Sequence, residues 1–151
     1  MSPSQTPIPT PDTLRAVSLG KIAEGVYLAT NARGGTLRFG SKAGEAFTPV
    51  ELLLAAIAGC TAVDVDTVTG RRASAEDFTV DVQAHKARDP EGGSVLRDIE
   101  MTFRLRFPEG EAGDAARAIL PRAVKASHDR TCTVSRTIEA GVPVSVSADS
   151  P

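Results

Sequence analysis

The chain has 151 residues, 41% of them hydrophobic and 24% charged, a length and composition that suit one globular domain with a real core. Seventeen Lys and Arg against nineteen Asp and Glu leave a net charge of −2, and aromatics make up 4% with no Trp. That balance argues against a nucleic-acid binder, a docking surface for anionic membranes and a base-stacking platform.

Residues 1–12 carry Pro3, Pro7, Pro9 and Pro11 among Ser and Thr. They lack the basic and apolar regions of a secretion signal and read as an extended or disordered tail. Residues 13–151 then form a single domain. Residues 13–19 and 25–31 read as short strands punctuated by Gly20 and Gly25, and Gly34-Gly35 precedes a third strand over 36–39. A polar loop, 40–46, leads to Thr48-Pro49-Val50-Glu51. Thr48 is a good N-cap, Pro49 suits the first helical position, and Glu51 falls where a capping box needs its acid, with Phe47 placed as a hydrophobic staple against Leu52.

The helix that follows runs to about Arg72 and is apolar nearly all round in its first half. Such a helix must be buried on most faces, which in a chain this small calls for a second subunit. No uninterrupted apolar run within it approaches the ~18 residues of a membrane span, because Gly59, Cys60 and Thr61 interrupt it and Asp64 and Asp66 follow. Residues 78–88 and 95–107 alternate as an antiparallel hairpin around Asp89-Pro90-Glu91-Gly92-Gly93. A second helix spans 111–127, with Pro121 expected to kink or end it. A last strand is expected at 142–146. The order is that of an α+β fold.

A cytosolic location follows from the missing signal, and in that reducing compartment two single cysteines are not presumed to be a structural staple. Cys60, Cys132, His85 and His128 could nominally make a zinc set, but their spacing lacks the close pairs of a structural site, so no metal is expected. Cys60, inside the apolar helix, reads on its own as a small buried hydrophobe. Cys132 lies in Ser127-His128-Asp129-Arg130-Thr131-Cys132-Thr133-Val134-Ser135, between a helix and the expected strand. There His128 and Arg130 could raise its thiolate fraction, although His128 serves equally well as a helix C-terminal cap.

The stretch Phe47-Thr48-Pro49-Val50-Glu51-Leu52-Leu53-Leu54-Ala55-Ala56-Ile57-Ala58-Gly59-Cys60-Thr61-Ala62-Val63-Asp64-Val65 closely resembles the central-helix signature of the OsmC family. The segment from His128 through Cys132, Val134 and Ser135 resembles that family's second-cysteine motif. The resemblance implies an α+β, OsmC-like fold: an intertwined homodimer with two sheets around buried central helices. It implies thiol-dependent reduction of organic hydroperoxides, in which Cys60 attacks the peroxide and Cys132 resolves the sulfenic acid as a disulfide. No bound cofactor is implied, only an external dithiol or protein thiol as reductant. A buried thiolate needs a cation, and the family's arginine corresponds to Arg33, with Arg38 the alternative. The peroxidase branches carry a glutamate directly after the motif proline. Here that position is Val50 and the acid comes one residue later, so Glu51 is a catalytic candidate displaced by roughly 100° around the helix and also the acid of the capping box. The alternatives are a non-catalytic scaffold binding a small apolar or thiol-reactive ligand, and a redox sensor signalling through its disulfide.

Overall fold

A computed structural model describes residues 13–151; the expected N-terminal tail lies outside them. The chain divides into two compact units, Met1–Leu52 and Leu53–Pro151.

In the first unit, β1 (Val17–Ala23), β2 (Val26–Asn31) and β3 (Thr36–Phe39) form an antiparallel meander in that order. Ala23 pairs with Val26 across a two-residue turn closed by Gly25 at φ 67°, a conformation glycine adopts without steric cost. The second turn is built by Asn31, whose Oδ1 accepts from the backbone N–H of Arg33 at 3.0 Å and of Gly35 at 2.9 Å. That Asx arrangement mimics a backbone turn and fixes where Arg33 is displayed. Val26, Phe39 and Ala43 are buried, and Tyr27 stacks on Phe39 at 5.8 Å. By contrast Val17, Leu19 and Ile22 of β1 are more than half exposed.

The long helix α1 (Pro49–Gly70) begins where the capping box puts it. Thr48 N–H donates to Glu51 Oε1 at 3.0 Å, and Glu51 N–H donates to Thr48 Oγ1 at 3.3 Å. The helix ends at Gly70, where the Arg72 guanidinium donates to the Val68 carbonyl at 3.2 Å and satisfies one of the last carbonyls. Its buried residues, Ile57, Ala58, Thr61, Val65 and Thr69, lie on one stripe, while Val50, Leu53 and Val63 are 44%, 40% and 67% exposed. At 22 residues, with an 18-residue stretch of mean hydropathy 1.6, α1 is long and apolar enough, by length and composition alone, to cross a membrane. The core helix of a soluble protein passes the same test, and the interruption at Gly59, Cys60 and Thr61 read from the sequence stands.

In the second unit, β4 (Asp77–Arg88) and β5 (Ser94–Arg106) form the expected hairpin. Asp89 closes its turn by accepting from the N–H groups of Glu91 and Gly93. Phe78, Val80, Val82 and Ala84 lie on one face, half-buried, and Phe78 meets Phe103 edge-on at 6.2 Å. The register breaks once: Gln83 faces Glu100 but His85 faces Arg97, so Ala84 opposes both Asp98 and Ile99, and Asp98 takes φ 53°. This is a β-bulge, which bends and twists the ribbon.

The helix α2 (Glu111–Ala126) buries Gly113, Ala116 and Ala123. A side chain at Gly113 would place its Cβ 1.7 Å from the Pro108 carbonyl oxygen, so only glycine fits. Pro121 does not end α2, which runs on to Ala126; burial of Ala116 and Ala123 on either side holds a helix that loses one backbone hydrogen bond there. A single π-turn, Ser127–Thr131, follows, then the short helix α3 (Thr133–Ala140), closed by Gly141 in the left-handed conformation. The expected strand at 142–146 does not form: these residues have no regular structure, and Val144 and Val146 are 86% and 88% exposed. Alternating valines carry the pattern of a strand, but a strand exists only where a neighbouring edge takes its hydrogen bonds.

Candidate functional site

The second unit brings Cys60 and Cys132 together. Both are free thiols, and each shifts the acidity of the other. Cys60, on α1, is half-buried, whereas Cys132 is completely buried. Cys132 is not followed by a strand but is itself the N-cap of α3. Its Sγ accepts from the Ser135 N–H at 3.4 Å, a 3.3 Å hydrogen bond links it to Ser135 Oγ, and Thr61 Oγ1 donates to it at 3.4 Å from α1.

Asp64 locks this arrangement from one turn further along α1. Its Oδ2 accepts from Ser127 Oγ and from Thr131 Oγ1, both at 2.7 Å. One carboxylate oxygen therefore holds both ends of the π-turn, and the Cys132 N–H closes it onto the Ser127 carbonyl at 2.8 Å. A π-turn inserts one extra residue into a helical run, and such turns concentrate at functional sites.

The two sulfurs have opposite electrostatic settings. Burial pushes the Cys60 thiol up, and Cys132 and Asp64 add to the rise against a hydrogen bond to the Val134 backbone. Burial would push Cys132 up as well, but hydrogen bonds from Ser135, Thr61 and Cys60 outweigh it and hold that thiol below its ordinary range. Of the two readings the sequence left open for His128, tuning of this thiol receives no support. Its ring nitrogens face Asp129 Oδ1 at 3.0 Å and Glu139 Oε1 at 2.8 Å, and these carboxylates raise its own pKa.

Of the remaining candidates, Arg33 is exposed at the tip of the β2–β3 turn, and Arg38 donates to the Ala43 carbonyl at 3.0 Å. Glu51 forms the capping box, and its hydrogen bonds to Thr48 hold its carboxyl below the usual range. No cluster of metal-ligating side chains occurs among the described residues. Beside the thiols lies a cavity of about 290 Å³. Its lining includes Ile57 and Phe103, the Thr61 and Ser135 hydroxyls that serve Cys132, and the exposed pair His128 and Glu139.

Thr61, Asp64 and Ser135 escaped the sequence reading. Asp64 stands four residues after Cys60, hence on the same face of the helix. Ser135 stands three after Cys132, which is capping spacing once a helix is known to start there.

Residues 42–147 match the profile of the OsmC-like protein family. The chain belongs to that family. Solved structures with the same fold include a hypothetical protein from Aquifex aeolicus, 23% identical, with 84% of this chain and 88% of that one covered and a TM-score of 0.67. An OsmC-like protein of unknown function from Vibrio cholerae is 11% identical, with coverages of 83% and 94% and a TM-score of 0.70. An organic hydroperoxide resistance protein from Legionella pneumophila is 17% identical, with coverages of 83% and 88% and a TM-score of 0.52. No curated protein matches the chain significantly by sequence.

Proposed function

We propose that this OsmC-like protein reduces organic hydroperoxides through Cys60 and Cys132, working in the cytosol with a dithiol or protein thiol as reductant. The observation that carries this reading is the proximity of two free thiols remote in sequence: Thr61, the residue after Cys60 on α1, donates to Cys132 Sγ at 3.4 Å. In the reaction Cys60, the more accessible sulfur, attacks the distal peroxide oxygen. The O–O bond breaks, an alcohol leaves, and Cys60 is left as a sulfenic acid. Cys132 then displaces hydroxide to give the Cys60–Cys132 disulfide, and two thiols of the reductant restore both side chains while being oxidised to a disulfide themselves. In this scheme the positive charge that a buried Cys60 thiolate needs is assigned to Arg33 of the partner subunit, and Glu51 holds the start of the helix that carries Cys60.

The assembly we propose is an intertwined homodimer. A helix as apolar as α1 with a single buried stripe, and a β1 whose Val17, Leu19 and Ile22 are 63%, 58% and 54% exposed, present more apolar surface than a monomer normally leaves open. Sedimentation should show a dimer throughout the micromolar range, and a folded monomer there would contradict the assembly.

The catalytic reading is tested by steady-state consumption of cumene hydroperoxide with dithiothreitol. Wild type should turn over and Cys60→Ser should not. Arg33→Ala should be at least about tenfold slower at neutral pH, equal to about 1.4 kcal/mol of transition-state stabilisation. Equal rates in wild type and Cys60→Ser would overturn it. A second reading, a non-catalytic scaffold for a small apolar ligand, is favoured by Val50 at the position of the family glutamate and by a cavity that neither thiol lines. Absence of turnover with saturable binding of an apolar ligand would establish it.

A further inference from the structure

Asp64 carries a charge that works against the step proposed for Cys60. It stands four residues on from Cys60, on the same face of α1, and its carboxylate opposes ionisation of that thiol. What it contributes instead is position. Its Oδ2 accepts at 2.7 Å from Ser127 Oγ and at 2.7 Å from Thr131 Oγ1, the first and last residues of the π-turn. Thr131 is the residue before Cys132, so a single oxygen on the Cys60 helix fixes the chain immediately ahead of the second sulfur.

The winding of this turn decides where that sulfur points. The Cys132 N–H reaches the Ser127 carbonyl at 2.8 Å, five residues back. Ordinary α-helical winding would carry Cys132 about 100° further round the axis. Its sulfur would then leave Thr61 Oγ1, which donates to it at 3.4 Å from the position next to Cys60. We infer that Asp64 is the positioning residue for the Cys60–Cys132 disulfide: by holding Ser127 and Thr131 together it sets Cys132 Sγ where it can bond to the Cys60 sulfur.

This role rests on reading the two cysteines as a redox pair, and it bears on the fate of the oxidised one. Once Cys60 is a sulfenic acid, two reactions compete for it. The Cys132 thiolate can attack its sulfur, forming the disulfide and expelling hydroxide. A second ROOH can instead deliver an oxygen, giving Cys60 sulfinic acid and ROH, with two more electrons lost from that sulfur. Disulfide formation has a narrow geometry, and a misplacement of about 1 Å can slow such a step on the order of a hundredfold. The Asp64 clamp therefore protects Cys60 from over-oxidation by keeping the first route fast.

Position is measured first without peroxide, by equilibrating the protein with reduced and oxidised glutathione. There the dithiol and one oxidised glutathione exchange with the disulfide and two reduced glutathiones. Asp64→Ala should lower the ratio of disulfide to dithiol at least about fivefold, and Thr131→Val should lower it in the same direction. Asp64→Asn loses the charge but keeps an acceptor oxygen, and should stay within about twofold of wild type. In excess cumene hydroperoxide without reductant, Asp64→Ala and Thr131→Val should accumulate Cys60 sulfinic acid, a gain of about 32 Da, while wild type and Asp64→Asn stop at the disulfide. Wild-type ratios in both Asp64→Ala and Thr131→Val would overturn the assignment. So would a fall in Asp64→Asn as large as in Asp64→Ala, which would give the effect to the charge. Thr131 is exposed and valine keeps its shape, so that variant decides the matter should Asp64→Ala fail to fold. A protein whose glutathione ratio answers to the clamp while peroxide oxidises neither sulfur would refute the peroxidase reading and leave this assignment standing.

Discussion

Cys60 and Cys132 carry the same side chain in settings that differ in almost every respect. Cys60 lies mid-helix, where the backbone N–H groups are already committed to the helix ladder, and its surroundings push its thiol up. Cys132 lies at a break between a π-turn and a helix, where orphan N–H groups and two hydroxyls are available to a sulfur. Cys132 is the more deeply buried of the two and still the more acidic. Depth in the protein therefore predicts thiol chemistry poorly. What decides it is how many donors remain unspent where the sulfur sits, and helix ends supply them while helix middles do not.

The contrast depends on the clamp that holds the π-turn to α1, so the largest effect is expected at Asp64. Asp64→Ala removes the shared acceptor of Ser127 and Thr131 and leaves the buried Ser127 hydroxyl unpaired. A loss of about 2 kcal/mol in unfolding stability is expected, the usual range for hydrogen bonds to a charged group. The same change removes a negative charge near Cys60, so the Cys60 thiol should become more acidic and the difference between the two sulfurs should narrow. Urea unfolding and thiolate titration of one sample check both parts. An unchanged midpoint would show that the π-turn holds itself.

A smaller effect sharpens the comparison from outside the pair. His128 gains its partners on folding, so its folded pKa lies above its unfolded value. Its contribution to stability is fully present below the unfolded histidine pKa of about 6.5 and is lost as pH rises through the raised folded value. His128 is about half exposed, and solvent screening keeps the contribution small. His128→Gln should flatten the dependence of the urea midpoint on pH across that window and leave the Cys132 titration where it was. A Cys132 titration that moves with His128→Gln would mean that the acidity of this sulfur comes from a charge after all.

Much of this was legible in the residues. Thr48, Pro49 and Glu51 marked the start of α1 because a capping box is local chemistry, complete within four positions. The β4–β5 hairpin was legible from its alternation and its Asp-Pro-Glu-Gly-Gly turn. The two motifs pointed to the family and to both cysteines. The setting of Cys132 was not legible, because a π-turn exists only through its anchor: Ser127 and Thr131 reach an aspartate more than sixty positions away in the chain. The valines at 142, 144 and 146 misled for the converse reason. Their alternation states a preference for an extended strand and is silent on whether an edge is available to pair with it. At Glu51 the capping geometry was readable, and its catalytic candidacy came only through the resemblance.

The central claim, that Cys60 and Cys132 work as one redox unit, is tested most directly by peptide mass mapping of reduced protein treated with one equivalent of cumene hydroperoxide under non-reducing conditions. The account predicts a single cross-linked peptide joining the two segments, with an intact mass lower by about 2 Da and full reversal by dithiothreitol. Oxygen adducts on Cys60 with Cys132 left as a free thiol, and no cross-linked peptide at any peroxide dose, would contradict it.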